Sequence, residues 1–244
     1  MTNVTEREAI SGEGSAAAEA PPLLAARSLG VRYGETPVFE GLSFDLPPRS
    51  VLGVLGPSGA GKSTLLRCLN RLVDLEPAAR VSGRVALAGR DIRARGVDPD
   101  ALRARVGMLF QQPSVFPASV AQNVLFGARR LRRLPRRERP ALVERCLREA
   151  ALWDQVKDRL GAPAATLSVG QQQRLCLARA LATDPEIVLL DEPTSALDAE
   201  TSEAIEATFA ALARSRGLVL VTHDAAQAER LSHRRIWLEG RGWA

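Results

Sequence analysis

Short, almost wholly apolar runs alternate with longer amphipathic stretches along this chain. Val51-Leu-Gly-Val-Leu55, Ile187-Val-Leu-Leu190 and Leu218-Val-Leu-Val221 have no polar alternation. Such runs read as strands buried on both faces, the habit of parallel sheets. Leu23 to Phe44 shows shorter apolar segments around Tyr33-Gly34, which predicts strands and a hairpin. Further strands are expected at Gly83–Gly89, Val106–Phe110 and Arg235–Leu238. Helical spacing appears in Ser63–Leu69, in Ser119–Gly127 through Val120, Val124 and Phe126, and in Thr201–Ala213. Leu142, Cys146, Leu147, Ala150 and Leu152 form one amphipathic stripe, and another helix runs from Ser168 to Leu181. Strands alternating with helices predict an α/β fold with a mostly parallel sheet. Residues from about 118 to 165 read as an inserted helical subdomain. Residues 1–22, rich in Gly, Ala, Ser and Glu, read as a disordered tail before a domain at 23–244.

Composition narrows the classes. A net charge of +5 allows nucleic acid, an anionic membrane surface or an acidic partner. Arg129 to Arg139 carries seven arginines, read as a solvated face or as a contact for anionic lipid headgroups. Cys68, Cys146 and Cys176 stand singly with no CxxC, which fits reduced, buried thiols. No apolar run is long enough to span a bilayer, and Ala16–Ala26 makes a poor signal peptide. Of the 33 basic residues only Lys62 and Lys157 are lysines; the other 31 are arginine. Retention of lysine at position 62 suggests a place where a compact ammonium fits and a planar guanidinium does not.

That lysine lies in the run Gly56, Pro57, Ser58, Gly59, Ala60, Gly61, Lys62, Ser63, Thr64, which matches G-x-x-x-x-G-K-[ST]. A strand enters the run and a helix leaves it, so backbone N–H groups and a helix N-terminus surround a phosphate. Lys62 then reaches the β- and γ-phosphates of a nucleotide and Ser63 holds Mg²⁺. Asp191 and Glu192 end an apolar strand, where open α/β sheets bind ligands. Asp191 reads as a Mg²⁺ holder through water, and Glu192 as the group that polarises an attacking water. The rival reading of the pair is acids that stabilise a helix N-terminus. Gln111 and His223 each follow an apolar strand; they are loop polars or sensors of the γ-phosphate. Ser168, before a helix, is an N-cap with or without an anion to hold. Tyr33, the only tyrosine, is a half-buried strand aromatic or a ring that stacks on a base.

Taken in order, these segments resemble the ATP-binding cassette (ABC) ATPases over about residues 24 to 239. The resemblance implies a P-loop NTPase with an ABC-type, mostly parallel sheet, an antiparallel N-terminal β subdomain and an inserted helical subdomain. It assigns Tyr33 to adenine stacking, Gln111 to a switch that contacts Mg²⁺ and faces a membrane partner, and His223 to the γ-phosphate. Leu167-Ser-Val-Gly-Gln171 matches the family signature, 20 residues before Asp191. Ser195-Ala-Leu-Asp198 matches the loop that crosses the dimer interface. Implied cofactors are ATP and Mg²⁺. Two copies close head to tail on two nucleotides, each site taking Ser168, Gly170 and Gln171 from the other copy. The catalytic set is Lys62, Gln111, Glu192 and His223.

The phrases Leu66–Arg71, Val106–Pro113, Val115–Pro117, Ala151–Trp153 with Val156–Leu160, and Gln171–Cys176 are similar to those of bacterial phosphate-import ATPases. This implies transmembrane permease subunits, an indirect solute-binding protein, and a peripheral place on the cytoplasmic face of the membrane. Relatives importing amino acids or oxyanions are the alternative. Nucleic-acid ABC ATPases are disfavoured, because no coiled coil, zinc insertion or second cassette is present. Val169 departs from the glycine most members carry, so an ordinary α or β backbone is expected there. The chain also ends at Ala244, soon after the last strand, where phosphate-import members continue with another strand and a short helix.

Overall fold

The computed structural model describes residues 21–131 and 134–239. In chain order the elements begin with strands β1 (Leu24–Tyr33), β2 (Thr36–Leu46) and β3 (Val51–Leu55), then helix α1 (Lys62–Leu69). Next come β4 (Ala79–Leu87), β5 (Arg90–Asp91), α2 (Pro99–Arg105) and β6 (Val106–Leu109). Helices α3 (Val120–Leu131), α4 (Arg139–Glu149), α5 (Trp153–Val156) and α6 (Val169–Leu181) follow. The rest are β7 (Ile187–Asp191), α7 (Ala199–Ala213), β8 (Gly217–Val221), α8 (Ala225–Leu231) and β9 (Arg234–Trp237). The disordered-tail expectation falls almost wholly on residues outside those described, as does the chain end beyond Glu239.

The described chain divides into two compact units, one running to Leu102 and resuming at Gly217, the other Arg103–Arg216. In the first, an antiparallel sheet has the order β2-β1-β4-β5. The hairpin closes at Tyr33↔Thr36, and Leu24 lies opposite both Leu46 and Leu87. Leu24, Ala26, Leu29 and Val31 from β1 pack with Phe39, Leu42 and Phe44 from β2 in a buried layer. In the same unit β3 runs parallel to β8 on one side and β9 on the other, with Val54 facing Val221 and Ile236. Every residue of β3 and β8 is buried, which is why neither shows alternation in sequence. Helix α1 buries Leu65, Leu66, Cys68 and Leu69.

In the second unit β6 and β7 pair in parallel, from Val106↔Ile187 to Leu109↔Leu190. Helices α3, α4 and α6 pack together beside them. Their inward faces are Val120, Val124 and Ala128, then Leu142, Val143, Cys146 and Leu147, then Leu175, Cys176, Ala178 and Leu181. The fold is therefore an α/β P-loop NTPase with antiparallel and parallel β pairing and a helical subdomain.

One helix end differs from expectation, and short helices appear where none is expected. The stripe Leu142–Leu152 suggests one helix, but α4 stops at Glu149. Ala151 takes φ 52°, Leu152 N donates to Leu147 O at 2.8 Å, and Ala151 N to Arg148 O at 2.9 Å. This is a Schellman closure without its usual glycine, so no residue type marks it. Helix α8 was not anticipated; Asp224 caps it by accepting from Ala226 N and Gln227 N.

Candidate nucleotide site

The first unit carries the phosphate loop. Between β3 and α1 the backbone turns sharply at Gly56, with φ 153°, and at Gly61, with φ 93°. A Cβ at Gly56 would collide with the Leu238 carbonyl, and one at Gly61 with Val38 and, at 3.2 Å, with the Phe39 ring. Both positions thus exclude every other residue. Pro57, Ser58 and Gly59 are exposed, so the loop presents its backbone outward. Gly61 caps α1 without any side-chain bond to the first-turn N–H groups. Such donors, at the positive end of a helix, are suited to an anion.

Lys62 is 6% exposed, and its Nζ donates to Gly56 O at 2.8 Å and Pro57 O at 2.9 Å. The ammonium is thereby held over the mouth of the loop. Ser63 and Thr64 follow it, half-buried, in the first turn of α1. Tyr33 ends β1, and its hydroxyl bonds Glu76 and Thr64; burial, then the Glu76 bond, raise its pKa. His223 lies just past β8 and is exposed. Thr222 before it is fixed by donation of its N–H to Val54 O at 3.2 Å.

The second unit carries the acids. Asp191 is the last residue of β7 and is 6% exposed. Glu192 follows with φ 41°, a left-handed backbone costly for a residue with a Cβ. The turn is held by Ser195, whose N–H and Oγ both donate to Glu192 O, at 3.2 and 3.0 Å. Gln111 Nε2 donates to Glu192 Oε2 and to Ser195 Oγ, each at 3.3 Å. Gln111, Glu192 and Ser195, read separately from sequence, thus meet within hydrogen-bond reach.

Ser168 and Gln171 meet as well. Ser168 Oγ accepts from Gln171 N, while Gln171 Oε1 accepts from Ser168 N at 3.1 Å, a capping box at the start of α6. Val169 is the first helical residue, 51% exposed and without positive φ, as its branched side chain requires. A Cβ on Gly170 would lie 2.8 Å from Thr201 Cγ2, so the glycine lets α6 approach α7. Asp198 caps α7 through Thr201 N at 2.9 Å.

Oxygen donors suited to Mg²⁺ are the Ser63 hydroxyl, the Gln111 amide oxygen and the buried Asp191 carboxylate. Among the described residues no group of three or more His, Cys, Asp or Glu could hold a metal by itself. The exposed glycine-bounded backbone of the loop fits a polyphosphate. Sequence reasoning missed Gln173 and Asn123, both buried polar residues. Their signal was a polar side chain among apolar neighbours at helical spacing.

The chain matches the model of the ABC transporter family over residues 39–195. It also matches a solved structure described as that of a bacterial Atm1-family ABC exporter with ATP bound. Identity is 27% and the TM-score 0.74, with 93% of this chain and 40% of that chain covered. The chain thus spans less than half the length of that relative. An exporter as the structural relative overturns the likeness to phosphate importers and the importer readings for phosphate or another solute. The phrases that suggested phosphate import supply Leu66, Cys68, Leu69, Val106, Leu109, Leu152, Val156, Leu175 and Cys176, all buried. Packing at those positions does not depend on cargo. Among the described residues no helix is long and apolar enough to cross a membrane.

Proposed function

The chain belongs to the ABC transporter family as an ABC-type ATP-binding and hydrolysing domain, and we propose that its hydrolysis of Mg·ATP drives a transmembrane partner. The observation that carries this reading is the phosphate loop. Two glycine-only turns, an uncapped helix N-terminus and a buried lysine converge there.

The loop N–H groups and Lys62 bind the phosphates, and Tyr33 offers a ring to the base. When bound, Mg²⁺ neutralises charge on the β- and γ-phosphate oxygens. Ser63, Gln111 and Asp191 are its proposed holders. Gln111 has its Nε2 engaged by Glu192 and Ser195, and its oxygen is the acceptor end of the same amide. Glu192 accepts a proton from the attacking water. The water oxygen bonds the γ-phosphorus as the bond to the β-phosphate bridging oxygen breaks, giving ADP and inorganic phosphate. His223 stabilises the γ-phosphoryl group. Ser168, Gly170 and Gln171 serve the nucleotide of a second copy, and closure of the two copies excludes water from both sites. This places the domain beside the membrane through its partner.

The test is Mg·ATP turnover by the purified chain. Lys62→Ala lowers turnover by orders of magnitude, since charge neutralisation in a water-poor site is a dominant catalytic effect. Turnover within about twofold of wild type would reject the assignment.

A further inference from the structure

Gln173 lies on the inward face of α6 and is 2% exposed. Its Nε2 donates to Phe110 O at 3.0 Å and to Pro193 O at 3.3 Å. Two carbonyls accept from one NH₂, which settles the orientation of the amide. Its Oε1 is buried with no hydrogen-bond partner. A buried acceptor without a donor is unfavourable, and a leucine or methionine would fill the space without that penalty. A lysine would donate equally well but would carry a charge into the core. What glutamine supplies here is two neutral donors.

The positions of the two acceptors give those donors a role. Phe110 immediately precedes Gln111, and Pro193 immediately follows Glu192. The β6–β7 ladder ends at Leu109↔Leu190, so both carbonyls lie just past it. Where the ladder stops, one side chain from α6 takes hold of both segments. The Gln111–Glu192 contact, at 3.3 Å, sits at that junction. Helix α6 also begins with the Ser168–Gln171 capping box, so the clamp and the signature residues share one helix.

We propose that Gln173 is a positioning residue. It clamps the segments that carry Gln111 and Glu192 at a common distance from α6, so that movement of the signature end is transmitted to both. The role rests on the ATPase reading above. Gln173 acts through the backbone at Phe110 and Pro193.

The test compares wild type with Gln173→Met and Gln173→Glu, each as the full chain. Methionine keeps the volume and removes both donors. We expect kcat for Mg·ATP to fall about tenfold or more while KM changes less than about threefold, because only placement of the reacting groups is altered. Amide hydrogen exchange should rise at residues 111–118 and 192–198 and stay unchanged in β3 and α1. A carboxylate at position 173 faces two carbonyls and repels them. Its protonated form regains one donor, so kcat of Gln173→Glu relative to wild type should climb as pH falls. Burial alone also makes a carboxylate there sensitive to pH, so the profile counts together with Gln173→Met, which carries no charge. If Gln173→Met does not fold, Gln173→Leu, which also lacks both donors and carries no charge, decides by the same kcat and exchange readouts. Wild-type kcat and exchange in Gln173→Met would overturn the proposal, as would a pH-independent ratio for Gln173→Glu. If wild type itself shows no turnover, the ATPase reading fails, and the exchange comparison still decides whether the clamp exists.

Discussion

A thiol reacts as its thiolate, and a thiolate is disfavoured where water is absent. Burial pushes the Cys68 thiol up to about 12 and the Cys146 thiol up to about 11, and it raises Cys176 as well. All three are buried. The folded protein should therefore resist a thiol-directed reagent at mildly alkaline pH, and all three should react once denaturant opens the core. Rapid labelling of one cysteine in the native chain would refute this. The single cysteines and their apolar neighbours made that fate legible in sequence. Lys62 was legible too, because a motif and a strong compositional bias both marked it. Gln173 was not, because its meaning lies in two carbonyls more than sixty and about twenty residues away in the chain.

Elements were legible where their limits are set by local chemistry. Ser168 and Asp198 stop the backbone from continuing as loop, because their side chains take up first-turn N–H groups. Glycine marks the start of α1 for a steric reason. The end of α4 has no such mark, and its apolar stripe continues past it to the buried Leu152. The cap on α7 makes a pH-dependent prediction. Bonds from the Thr201 backbone N–H and hydroxyl hold the Asp198 carboxyl below its usual pKa. A lowered folded-state pKa means stability that is present above the unfolded value and lost as pH falls through the folded one. Asp198→Asn keeps a neutral acceptor but loses the charge. Its melting temperature should lie below that of wild type at neutral pH and converge with it once pH has fallen below the carboxylate range. A gap that persists in acid would assign the difference to something other than ionisation.

At the scale of the whole molecule, the signature residues Ser168, Gly170 and Gln171 are placed by their own helix start. In the proposed mechanism they complete the site of a second copy. Glu192→Gln keeps the side chain's shape and removes the proton acceptor, so bound ATP should persist and hold two copies together. Size-exclusion chromatography should show a dimer of this variant with Mg·ATP and a smaller species without nucleotide. A variant that hydrolyses rapidly and stays monomeric would sink both the base assignment and the paired-copy arrangement. The described arginines of the 129–139 run that lie between α3 and α4, Arg136 and Arg137, are exposed, which both a solvated face and a lipid contact require.

The sequence by itself determined the phosphate loop, the buried strands β3, β7 and β8, and the cap of α6. Each depends on residues within one turn or one strand, where sterics, burial and local hydrogen bonding act without help from distant parts. Only the tertiary structure decided that α4 closes at Ala151, that Gly170 is small because Thr201 lies against it, and that Gln173 grips Phe110 and Pro193. It also showed that the apolar positions Leu66, Leu69, Val106, Leu109 and Leu175 in the phrases resembling importers serve the core. Packing joins residues far apart in the chain, and the identity of one partner says little about the other until both are placed.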